Sequence, residues 1–211
     1  MKIFGYILAA AVMLICGSIY GSWKTAWGKK ALAYKALATL MTVIIAVIGA
    51  VTVQNRYMWL IVAGLILCMA ADVCLEIWFV AGVIVFGAAH LCFIAAILPQ
   101  ITVHWYTWLL ILALYGCFFV SFRTYLPHLG KLLVPAVIYP LLLCAMAAFF
   151  VTGAIENPGV TAYTSMAGGI CFVISDYILA KRTLEAKQER WYGAAVLILY
   201  YMAVYLIAFW G

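Results

Sequence analysis

In 211 residues, 70% are hydrophobic and 9% charged, far below the roughly 25% charged residues that a soluble domain uses to face water. The apolar runs are continuous over about 20 residues, the length of a membrane helix, whereas a barrel strand alternates apolar and polar over about 10. The net charge of +6 falls mostly in loops beside these runs, which is a topology signal and not the basic patch of a nucleic-acid binder.

Eight helices are predicted, at 3–20, 34–53, 58–76, 78–98, 106–122, 132–152, 161–180 and 191–210. Only helices satisfy their own backbone inside such runs. The fold class is therefore all-α, a polytopic membrane bundle of eight transmembrane helices, and the short connections make residues 1–211 a single transmembrane domain. The first run has Lys2 ahead of it and small residues at Gly17 and Ser18, as a signal peptide would. More positive charge follows it than precedes it and no A-x-A site is present, so it is read as a retained helix. Helix two carries Lys35 near its start. Helix three ends with Asp72 and Glu76, and helix four carries His90 near its middle. His104 and His128 fall in loops, where solvation is expected. Helix six places Pro135 and Pro140 around Tyr139, and prolines there free carbonyls and bend the helix, which opens a pocket. Helix seven holds Asp176. Helix eight holds Tyr200 and Tyr201 at mid-membrane depth, where a buried phenol needs a partner.

Lys and Arg divide unevenly between the two sides. Lys2 and Arg56 stand alone on one. Lys24, Lys29, Lys30, Lys35, Arg123, Lys131, Lys181, Arg182, Lys187 and Arg190 occupy the other. The positive-inside rule then places both termini away from the cytoplasm, with the cell (inner) membrane of a bacterium as the expected location. The seven cysteines lie within or at the edges of apolar helices without metal-type Cys/His spacing; they read as small buried hydrophobes. No metal or other cofactor is expected.

Glu156, Glu185 and Glu189 fall in predicted loops, so Asp72 and Asp176 are the acidic residues inside helices. A membrane-embedded carboxylate costs about 3 kcal/mol on insertion scales. One such residue reads equally well as a snorkelling or packing group. Two at matched depth do not. Asp72 precedes Glu76 by one turn, and Asp176 precedes Lys181 by five residues. Each therefore lies about 6–8 Å below the cytoplasmic interface, and Lys35 falls in the same layer. One lysine neutralises one aspartate; desolvation and like charge then disfavour a second anion, which leaves one acid and one base at neutral pH. Asp72 and Asp176 also occupy the third helix of each half, consistent with a parallel 4+4 pseudo-repeat.

Several segments resemble the lysoplasmalogenase-like (YhhN-like) membrane proteins. Ala71-Asp72-Val73-Cys74-Leu75 and Ala89-His90-Leu91-Cys92-Phe93 are similar to that family's G-D-x-x-L and A-H-x-x-Y motifs. Gly168 to Ala180, with Ser175-Asp176 at its centre, is similar to G-A-x-x-F-x-x-S-D-x-x-L-A. Val134-Pro135 with Tyr139 and Met146 resembles the V-P-x-x-x-Y-x-x-x-x-x-x-M helix. Tyr34-Lys35-Ala36-Leu37 resembles K-P-L, and Tyr200-Tyr201 a Y-Y element. Ala71, Ala36, Phe93 and Val204 depart from the usual Gly, Pro, Tyr and Gln. The resemblance implies hydrolysis of the vinyl ether bond of lysoplasmalogen to a fatty aldehyde and a glycerophospho-ethanolamine or -choline. It implies Asp72 and Asp176 as the catalytic pair, acting like the paired carboxylates of glycoside hydrolysis. His90, Tyr139, Ser175, Tyr200 and Tyr201 would orient substrate or water, and Lys35 would bind the lipid phosphate or tune an aspartate. The expected partners are a lysophospholipid substrate and membrane lipids.

Two other readings use the same residues. A transporter or lipid-binding protein would use the Asp/Lys cluster to carry protons or grip a headgroup. An intramembrane aspartyl protease pairs two membrane aspartates, but its Y-D and G-x-G-D contexts are absent here.

Overall fold

The computed structural model describes residues 2–185 and 190–210. Lys187 and Glu189, expected in the loop before helix eight, lie outside the described residues. The chain forms α1 (Lys2–Trp27), α2 (Leu32–Val53), α3 (Met58–Ile77), α4 (Phe79–Ile97), α5 (Trp105–Phe122), α6 (Leu133–Glu156), α7 (Val160–Leu184) and α8 (Arg190–Ile207), with short 3₁₀ turns between some of them. Seven of these helices are long and apolar enough to cross a membrane; the apolar part of α8, Trp191–Ile207, is shorter. The result is an all-α polytopic membrane bundle.

The helices overrun the predicted spans at polar ends. α1 continues through Lys24 to Trp27, and α7 continues through Lys181 and Arg182 to Leu184. Apolar length marks the bilayer crossing, whereas backbone hydrogen bonding carries the helix on into the interface. α8 stops short of its prediction because its end tightens. Phe209 N–H donates to Leu206 O at 3.3 Å and Trp210 N–H to Ile207 O at 3.0 Å, the three-residue spacing of a fraying terminus. Glu156 is the last residue of α6 and not a loop residue. It accepts from Thr102 N–H at 2.8 Å, and its Oε1 lies 2.6 Å from His104 Nε2. His104 is therefore tied to α6 and is not simply solvated. His128 sits in the 3₁₀ turn Leu126–His128.

Short connections make consecutive helices neighbours, and the closest packed pairs are α3 with α4 and α7 with α8. α3 and α4 are joined by Trp78 alone, in extended conformation. Trp78 N–H donates to Cys74 O at 2.7 Å, and Gly82 N–H to Trp78 O at 3.1 Å. The approach is so close that a Cβ on Gly82 would stand 2.6 Å from the backbone nitrogen of Leu75.

A bilayer offers little hydrophobic force between helices, so small residues and polar bonds hold the bundle. The Thr107 and Thr152 hydroxyls meet at 2.8 Å between α5 and α6, and Tyr205 donates to Tyr6 O at 3.0 Å between α8 and α1. α6 runs unbroken through Pro140. A cavity of about 30 Å³ beside it is lined by Tyr115, Phe118, Val137 and Pro140 among others, with neither Pro135 nor Tyr139 in its lining. A larger cavity of about 360 Å³ lies at the opposite end of the bundle from the aspartates, between Gln100, Phe150, Asn157, Ser165 and Trp210.

Candidate active site

Asp72 lies one turn before the end of α3 and is buried, at 1% exposure; Asp176 lies in the second half of α7 at 9%. Lys35 meets Asp72, and Asp176 belongs to a second group.

The first group surrounds Asp72. Lys35 of α2 places its Nζ 3.3 Å from Asp72 Oδ1, and also donates to the Asp72 backbone oxygen at 3.2 Å. Thr39, one turn along α2, donates to Oδ2 at 2.6 Å, and Tyr200 of α8 donates to the same oxygen at 2.8 Å. Three side chains from two helices thus present donors to one carboxyl, as an ionised carboxylate requires. Lys35 Nζ also stands 4.0 Å from Glu76 Oε1, and that oxygen accepts from Tyr20 of α1 at 2.5 Å. Lys35 is itself buried.

The second group surrounds Asp176. The Tyr139 hydroxyl of α6 donates to Asp176 Oδ2 in a short hydrogen bond, and the same hydroxyl lies 3.2 Å from His90 Nε2 of α4. A tyrosine has one proton to give, so with that proton on Asp176 the Nε2–H of His90 donates to Tyr139. His90 Nδ1 is buried with no hydrogen-bond partner among the described residues. Asp176 makes no ion pair among the described residues. The single lysine of the layer therefore pairs with one aspartate only, as the charge argument expects.

Aromatic rings stand between the two groups. Phe86 and Phe172 pack edge-to-face at 6.0 Å between ring centroids, each also against Tyr200, and Phe172 lies 4.8 Å from His90. Asp72 and Asp176 remain within electrostatic reach of each other, and Cys68, one turn before Asp72, is within reach of both.

Two expected site residues are placed differently. Ser175 turns toward α8 and donates to Val196 O at 3.1 Å, so it fastens α7 to α8 and makes no hydrogen bond to either carboxyl. Tyr201 packs its ring on Gly17 of α1, where a Cβ would stand 2.6 Å from the ring; its hydroxyl is buried with no hydrogen-bond partner among the described residues. Lys35, His90, Tyr139 and Tyr200 all join the two groups. Thr39, Tyr20 and Cys68 were not foreseen, and Glu76 was expected only at the interface. Helical spacing held the signal for three of these: Thr39 follows Lys35 by four residues, Glu76 follows Asp72 by four and Cys68 precedes it by four, which puts each pair on one face.

The chain is thus an all-α membrane bundle that buries one ion-paired carboxyl, Asp72, and a second, Asp176, with no ion pair among the described residues. The chain belongs to the YhhN family, the lysoplasmalogenase-like family, whose model matches residues 30–210. No curated protein and no solved structure matches the chain.

Proposed function

We propose that this protein is an intramembrane hydrolase that cleaves the vinyl ether bond of lysoplasmalogen, or of a related lysolipid, with Asp176 as proton donor and Asp72 as fixed anion. The family is associated with lysoplasmalogenase activity. The observation that carries the reading is the unequal environment of the two carboxyls: Asp72 accepts from Lys35, Thr39 and Tyr200, whereas Asp176 accepts from Tyr139 alone among the described side chains.

Vinyl ethers resist base and yield to acid. In the proposed reaction the proton on Asp176 Oδ1 moves to the alkene carbon remote from the ether oxygen, and the π pair forms the new C–H bond. The adjacent carbon becomes an oxocarbenium ion, stabilised by the Asp72 carboxylate. Water adds to that carbon and returns a proton to Asp176. The resulting hemiacetal releases the glycerol oxygen, which takes the hydroxyl proton, and a fatty aldehyde remains. Tyr139 holds Oδ2 of Asp176, and His90 holds Tyr139, so the acid is oriented by a chain of two. The site lies in the cytoplasmic leaflet of a bacterial cell membrane in this reading, and the partners are the lysophospholipid and the bilayer.

The test is aldehyde release, followed by mass spectrometry, from purified protein given vinyl-ether, alkyl-ether and acyl lysolipids. Only the vinyl ether is expected to react. Asp72→Asn and Asp176→Asn are each expected to lower kcat by about 10²–10⁴-fold while remaining folded and membrane-inserted. Folded variants with full activity sink the proposal.

A further inference from the structure

The larger cavity, of about 360 Å³, lies apart from the aspartates at the opposite end of the bundle. Its volume is that of a small-molecule site, roughly 300–1,000 Å³. Gln100, Asn157, Thr161 and Ser165 line it together with the rings of Phe150 and Trp210, and no charged side chain does. Asn157 and Thr161 are exposed, whereas Ser165, Phe150 and Trp210 are buried, so the cavity runs from an open polar rim into the bundle. We propose that it binds an uncharged polyol, a glycerol or sugar unit, either free or carried as a lipid headgroup.

The hydrogen bonds already made decide what the cavity offers. Gln100 Nε2 donates to Ala96 O and the Ser165 hydroxyl to Thr161 O, each at 2.8 Å, and Asn157 Nδ2 donates to Gln100 O at 3.5 Å. Those bonds use donors. Gln100 Oε1, Asn157 Oδ1 and the Ser165 lone pairs accept from no donor among the described residues, and none of the four polar side chains bonds another. The second N–H of each amide and the indole N–H of Trp210 remain as donors. A hydroxyl both gives and takes a hydrogen bond, so several on one ligand match this mixed set; a carbonyl or ether oxygen uses only half of it. A charged ligand would exchange its water for neutral partners alone, at a far higher cost. The rings of Phe150 and Trp210 give apolar surface to the C–H groups of a polyol. The wall that carries Gln100 is also fixed. Glu156, next to Asn157, accepts from Thr102 N–H at 2.8 Å and meets His104 Nε2 at 2.6 Å, which ties the α4–α5 connection to the end of α6.

The test reads binding at Trp210 and needs no turnover, so it stands whether or not the protein is an ether hydrolase. Full-length protein carrying fluorotryptophan is studied in detergent, and the fluorine resonance of Trp210 is assigned as the one lost in Trp210→Phe. Three probes are titrated: a monoalkylglycerol, free glycerol, and the alkyl methyl ether of the same chain, which has no hydroxyl. A saturable shift of the Trp210 resonance with a polyol, and none with the methyl ether, is expected. Saturation by glycerol marks a site for the free polyol, and saturation by the monoalkylglycerol alone marks a lipid headgroup. Ser165→Ala removes one oxygen and is expected to weaken binding by about fivefold. Ala162→Phe places a ring in the cavity, which Ala162 also lines, and is expected to abolish the shift. No saturable shift with either polyol, an equal shift with the methyl ether, or unaltered affinity in Ser165→Ala overturns the proposal; because that variant only loses an atom, the outcome does not depend on how well Ala162→Phe folds.

Discussion

A buried charge is tolerated only with its partners in place, and Asp72 shows how completely that condition is met. Lys35, Thr39 and Tyr200 together satisfy the carboxyl at 1% exposure. Removing one member of a buried pair strands the other and costs about 3–5 kcal/mol. Lys35→Met is therefore expected to destabilise the protein by about that amount, read as a lowered midpoint of thermal unfolding in detergent. The double variant Lys35→Met/Asp72→Asn removes both charges and is expected to recover most of the loss. A double variant no more stable than Lys35→Met contradicts the pairing as the source of the effect. His90 Nδ1 and Tyr201 Oη are buried with no hydrogen-bond partner among the described residues.

At the scale of elements, most of the bundle was legible because bilayer thickness sets a minimum apolar length. The predicted starts of helices two to eight lie within two residues of the observed ones. Helix ends at polar residues were not legible, since hydropathy reports the bilayer boundary and not the last hydrogen bond. For the site, the pairing of Lys35 with Asp72 is what the charges ask for, while Asp176 lies in a group of its own with Tyr139. Azimuth was not legible. Ser175 and Asp176 are adjacent in sequence yet face α8 and α6 respectively, and depth alone cannot separate them. Thr39 and Tyr20 escaped notice because neither is costly in a membrane helix, so nothing in their identity demands a partner. The tightest element contact yields its own prediction. At Gly82 the obstacle to a side chain is the backbone of Leu75, which cannot turn aside. Gly82→Leu is expected to cost at least about 1–3 kcal/mol, measured as loss of thermal stability. Gly17→Ala should be milder, because there the obstacle is the Tyr201 ring; equal losses at the two positions contradict this reading.

For the whole molecule, the charge distribution sets orientation. Seven helices are long enough to cross and α8 is shorter; with all eight counted as crossings, the gathering of basic residues at one end of the bundle predicts both termini on the non-cytoplasmic side. A reporter active only outside the cytoplasm, fused at the C-terminus, should be active, and a cytoplasm-dependent fluorescent fusion dark. The opposite pattern inverts the bundle and moves the aspartates to the outer leaflet. The one-residue link at Trp78 has a mechanical corollary for this assembly. With no slack between them, the ends of α3 and α4 beside the aspartates are coupled like the two legs of a clamp closed at its pivot. Asp72 and His90 ride on those legs, so their spacing is held by the link itself. Under the function proposed above, clearance for a lysolipid then comes from α6, α7 and α8, which carry Tyr139, Asp176 and Tyr200.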